Sequence, residues 1–107
     1  MIEVTYHRKR HKVEVKGHAR SGEAGHDLVC SAVSALVYTL AANAEKLRDG
    51  GQVTKAVIRL EHGDAVIKCR TTDKFKSVVS VIFDSISVGF ELLANSYPEN
   101  ISYKITR

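Results

Sequence analysis

The sequence predicts an α+β domain: two helices packed on one mostly antiparallel sheet, in the order ββαββαβ. Three observations carry this. Short apolar–polar alternations occur five times, and two longer apolar runs recur at spacings of three and four. No linker or low-complexity stretch divides the 107 residues. With 44% apolar and 26% charged residues the composition is globular, and the length suits a single domain over residues 1–107.

Ile2, Val4 and Tyr6 alternate with Glu3 and Thr5, which predicts a half-buried strand, and Val13-Glu14-Val15-Lys16 alternates in the same way. Between them His7-Arg8-Lys9-Arg10-His11-Lys12 reads as a solvated hairpin loop. Residues 18–26 contain Gly22 and Gly25 and no apolar period, which predicts a loop able to approach a ligand closely. Val29, Ala32, Val33, Leu36, Leu40, Ala44 and Leu47 then mark one face of a helix from Asp27 to Arg48, with Asp27 as N-cap and Gly50-Gly51 as the stop. Ala56, Ile58 and Leu60 alternate, His62-Gly63-Asp64 turns the chain, and Ala65, Ile67 and Cys69 alternate again. Thr72 or Asp73 caps a second helix with a stripe of Phe75, Val78, Val79, Ile82, Ile86, Phe90 and Leu93. Pro98 stops it, and Ile101, Tyr103 and Ile105 form a last strand.

Net charge is +4 and the pI near 9.2, much of the excess lying in the basic block after the first strand. That block is a solvated turn or a docking patch for an acidic surface such as ribosomal RNA. No aromatic residue is interleaved with it to stack on bases. The chain opens on strand-like residues rather than a leader, and its unbroken apolar stretches read as too short to span a bilayer. Two cysteines 39 positions apart make no disulfide framework, so a reducing cytoplasm is the expected setting.

The residues that carry chemistry are His18 and Cys30. A histidine just after a strand and a cysteine in the first turn of a helix are joined by a glycine-bearing loop. Helix N-termini favour a thiolate, and a helical side chain leans back toward its own N-terminus, at the mouth of the preceding loop. Asp27 opposes this as a like charge, and as a cap it competes for the backbone N–H of Cys30. An imidazolium at His18 offsets the like charge. His26 competes with His18 as base, while His7, His11 and His62 read as solvated. Cys69, on a strand face with Ala65 and Ile67, reads as buried and inert. Ser34, one turn beyond Cys30, shares its face. No C-x-x-C or H-x-x-x-H pairing occurs, so the expectation is no metal and no cofactor.

Gly17-His18-Ala19, Gly25, Asp27-Leu28-Val29-Cys30 and Ser31-Ala32-Val33-Ser34-Ala35-Leu36 together resemble the signature of the bacterial ribosomal-processing cysteine protease family. The resemblance covers essentially the whole chain in length and element order. Ser31 and Leu28 stand where alanine and isoleucine are common in the family. The resemblance implies that Cys30 is the nucleophile and His18 the base, with Asp27 and Ser34 supporting. It also implies a cytoplasmic homodimer that removes the N-terminal extension of the twenty-seventh large-subunit ribosomal protein, cutting after an aromatic residue. Read from the residues themselves, the segment from Arg20 to His26, with Gly22 and Gly25, is expected to order over an extended peptide. The alternative from composition is a basic ribosome- or RNA-associated module that does no chemistry. A redox-sensing thiol lacks a resolving cysteine near Cys30.

Overall fold

A computed structural model describes residues 1–17 and 26–107, His26 by its backbone alone. The strands are β1 (Ile2–His7), β2 (Lys12–Lys16), β3 (Lys55–Glu61), β4 (Asp64–Arg70) and β5 (Ile101–Thr106). The helices are α1 (His26–Asp49) and α2 (Lys76–Ser96). The sheet runs β3-β4-β2-β1-β5, antiparallel throughout except for the parallel β1–β5 pair. The architecture is the expected ββαββαβ.

Alternation sorts the sheet into two faces because successive side chains point to opposite sides. The register aligns Tyr6 with Val13 and Val13 with Ile67, and Val4 with Val15 and Val15 with Ala65. These side chains, with Ile2, Cys69 and Ile101, form the buried face under both helices. Helix α1 buries Val29, Val33, Val37, Leu40, Ala41, Ala44 and Leu47; α2 buries Val79, Phe83, Ser87 and Phe90. The helices meet closely at Gly89, where a Cβ would lie 2.8 Å from Leu36 Cδ2. The opposite face of the sheet carries Glu3, Thr5, Lys12, Glu14, Lys16, Lys68 and Arg70.

Four details correct the sequence reading. Asp27–Asp49 and Asp73–Ser96 are each long and apolar enough, by length and composition, to cross a membrane. Their neutral Ser, Thr, Ala and Gly residues interrupt the apolar stripe without adding charge; in the fold the stripe lies on the sheet. Secondly, α1 starts at His26, so Asp27 stands inside the first turn instead of capping it. Thirdly, α2 is preceded by a 3-10 turn at Asp73–Phe75, and Thr72 makes no side-chain cap bond.

Fourthly, the basic block is built rather than simply solvated. Arg8–Arg10 form a 3-10 turn closed by His11 in the left-handed region at φ 47. His11 is buried: its Nε2 lies 2.8 Å from Ser80 Oγ and its ring packs on Phe83. His7 is half-buried between Glu14 at 3.2 Å and Thr106 at 2.8 Å. Arg8 makes a two-pronged bond to Asp84, at 3.2 and 3.1 Å, and Tyr6 donates its hydroxyl to the same carboxylate at 2.7 Å.

Candidate active site

One end of the sheet opens into a groove of about 270 Å³. Its first wall is α1, which presents Cys30, Ser34 and Tyr38 at successive turns. The facing wall is the β3–β4 turn, Leu60 to Asp64, including His62. Apolar side chains of Ile2, Val15, Val33, Val37 and Ala65 line the depth between them. Cys30 is half-buried, packed against the core through the helix yet open to the groove. Tyr38 and Leu60 are exposed at the rim.

Gly17 anchors the hairpin wall to the end of β2. Its N–H donates to the carbonyl of Gly63 at 3.0 Å, tying the end of β2 to the hairpin turn. Its φ is +88°, and a Cβ there would lie 2.3 Å from the carbonyl oxygen of Met1. Glycine is required at this point both for backbone conformation and for space. The next residue in the chain is His18.

The structure therefore brings Cys30 and Ser34 together in one groove. His18, Gly22 and Gly25 lie outside the described residues, as does the side chain of His26. Asp27 sits at the N-terminal end of α1, where a carboxylate interacts favourably with the helix dipole. In regular α geometry the amide of Cys30 donates to the carbonyl of His26, so it is taken up by the helix.

Cys69 is buried, as its place in the strand alternation predicts. It is 1% exposed on β4, away from the groove, and burial pushes its thiol up to about 11. His62 corrects the reading of a merely solvated turn residue: it is exposed but lines the same groove as Cys30. Sequence reasoning missed the whole hairpin wall, since nothing local links Leu60 to His62 with a helix thirty residues earlier. Tyr38 was within reach, being two helical turns beyond Cys30. Asp64 at the foot of the wall is held by Arg59, at 3.0 and 3.1 Å.

The family model for the cysteine protease Prp matches residues 1–102. The chain belongs to the Prp family of cysteine proteases. Its fold is shared with SMU.848 from Streptococcus mutans, at 30% identity and TM-score 0.69, over 99% of this chain and 94% of that one. The essential ribosomal processing protease Prp from S. aureus, solved with a substrate peptide, superposes with TM-score 0.70 at 22% identity, over 98% and 97% of the two chains. The same S. aureus protein with a covalently linked product peptide gives TM-score 0.68 at 22% identity. A search of curated protein sequences returns no match. The family is one of cysteine proteases, and of the two cysteines in this chain Cys30 is the one that opens into the groove.

Proposed function

We propose that this Prp-family chain is a cysteine endopeptidase with Cys30 as nucleophile and His18 as base. Its substrate is the N-terminal extension of a large-subunit ribosomal protein, the twenty-seventh of that subunit. The observation that carries the reading is a half-buried thiol near the start of a long helix, opening into a groove with apolar depth and a polar rim. The helix start turns its backbone N–H groups toward the site, and the groove has the volume for an apolar side chain of a peptide.

In the reaction His18 takes the proton from the Cys30 thiol, and Sγ attacks the scissile carbonyl to form a tetrahedral intermediate. The intermediate collapses to an acyl-enzyme as His18 protonates the leaving amine. Water, deprotonated by His18, then releases the new C-terminus and restores the thiol. Amides at the start of α1 are the oxyanion donors, with Asp27 and Ser34 supporting the site. Gly22 and Gly25, which lie outside the described residues, are assigned to substrate binding. The setting is the cytoplasm, where a thiol stays reduced.

The protein acts as a homodimer. Support comes from α2, which leaves Val78, Val81, Val88 and Leu92 exposed. These residues lie at seam spacing, with the small Ser85 between them. Two copies crossing antiparallel at Ser85 set Val78 against Leu92 and Val81 against Val88. Light scattering of the wild type should give twice the chain mass and Val81→Asp the single mass; a monomeric wild type contradicts the dimer.

The test of function is cleavage of the ribosomal protein bearing its extension. Wild type should release the extension, Cys30→Ala and His18→Ala should not, and Cys69→Ala should match wild type. Cleavage surviving Cys30→Ala removes the assignment.

A further inference from the structure

The outer face of the sheet, away from the helices, carries a charge pattern that proteolysis does not use. Lys12 on β2 stands directly opposite Lys68 on β4, and Lys55 on β3 directly opposite Arg70 on β4. Like charges in direct cross-strand register repel and cost stability. Lys12 is relieved by Glu14, 2.9 Å away. Among the described residues no carboxylate comes within ion-pair distance of Lys55, Lys68 or Arg70.

Exposed Lys9 and Arg10 lie at the same end, because the carbonyl of His11 accepts the N–H of Cys69, next to Arg70. The other end of the face differs in sign. There Glu3 is in register with Lys16, Glu61 with Asp64, and Arg59 is spent on Asp64. The cationic end is also the end remote from Cys30. The groove is lined by Ile2, Gly17 and the β3–β4 turn, a strand length of about 17 Å away.

We infer that the cationic end of the open sheet face, built on Lys12, Lys55, Lys68 and Arg70 with Lys9 and Arg10 beside it, is a docking surface for the phosphate backbone of folded RNA. The facing Lys55 and Arg70, with Lys68 beside the paired Lys12, are complementary to a closely spaced polyanion, which relieves the repulsion that the register imposes. The outer positions of the five strands hold no Phe, Tyr or Trp, so there is no stacking platform for unpaired bases. Recognition is therefore of the backbone and indifferent to sequence. Bound this way, the protein keeps its groove open at the opposite end of the strands.

The register supplies a test that separates binding from folding. Lys55→Glu and Lys68→Glu turn both repulsive pairs into attractive ones, so the double variant should melt at or above the wild-type temperature. Its affinity for a labelled short RNA duplex should fall at least about tenfold at low salt. The slope of log affinity against log salt should flatten by about two, one for each phosphate no longer neutralised. Cleavage of a short peptide substrate by this variant should match wild type. Equal RNA affinity and equal salt slope in the two proteins would overturn the inference. So would poly-glutamate displacing RNA as well as competitor RNA does, since the face would then fit an acidic protein segment instead.

Discussion

Gly17→Ala isolates the contribution of one backbone contact to both stability and activity, and Gly51→Ala is its control. Both glycines have positive φ, +88° and +81°. Holding an L residue in such a conformation costs about 1–3 kcal/mol. At Gly51 that is the whole effect, because an added Cβ meets nothing within 4 Å. At Gly17 the Cβ would stand 2.3 Å from the Met1 carbonyl oxygen. Reaching van der Waals distance needs a shift of about an ångström in β2 or β1, and forced overpacking of this kind costs about 1–3 kcal/mol more. The shift also strains the hydrogen bond from Gly17 to Gly63 and the one from Ile2 to Asn100, at 3.0 and 2.9 Å. Gly17 is the residue before His18, so the same displacement reaches the proposed base. A misplacement of about 1 Å at a reacting group costs about 100-fold in rate. Urea denaturation should show Gly17→Ala less stable than Gly51→Ala by about 1–3 kcal/mol. Peptide cleavage at low temperature, with both variants folded, should fall about 100-fold for Gly17→Ala only. Equal stability losses, or full activity in Gly17→Ala, would refute the reasoning.

Cys69→Ala should cost about 1–2 kcal/mol in urea through the small cavity it leaves, with cleavage unchanged. In the folded protein at pH 8 iodoacetamide should spare Cys69, whose thiol is pushed up to about 11, and should reach it only after unfolding. Acid should destabilise the protein in two stages. His11 is held below 6.5 by burial first and then by the Lys76 charge, so the unfolded chain takes up its proton first. The stability this represents is complete above about pH 6.5 and is lost as pH falls through the lowered folded value. A second loss comes below the ordinary carboxylate range, because Arg8 holds Asp84 and Lys12 holds Glu14 below it. His11→Phe should abolish only the first stage in thermal melts at several pH values. Asp84→Ala removes the acceptor of the buried Tyr6 hydroxyl and should cost about 1–3 kcal/mol in urea, whereas Tyr6→Phe in that background should recover part of the loss.

The strands were legible because one face is buried and the other wet. Ile2, Val4 and Tyr6 could belong only to a sheet, and the alternation at Ala65, Ile67 and Cys69 placed Cys69 in the core, where it is found. The periodicity of Val29 to Leu47 likewise gave α1 to within a residue at each end. What the sequence hid was long-range. The basic block at Arg8–Arg10 looks solvated because nothing nearby signals that Asp84, 76 residues on, pairs with Arg8. His11 looks polar and exposed, but its left-handed backbone turns the ring inward onto Ser80 and Phe83. Of the site, Cys30 and Ser34 followed from helix position alone. The opposing hairpin turn, with Leu60 and His62, reaches the groove only through the strand order β3-β4-β2, which no local pattern encodes.

Mass spectrometry after treatment with a peptide chloromethyl ketone ending in an aromatic residue tests the nucleophile most directly. One covalent adduct per chain should map to Cys30, and none should form in Cys30→Ala. An adduct on Cys69, or no adduct from a protein that still cleaves its substrate, would contradict the account.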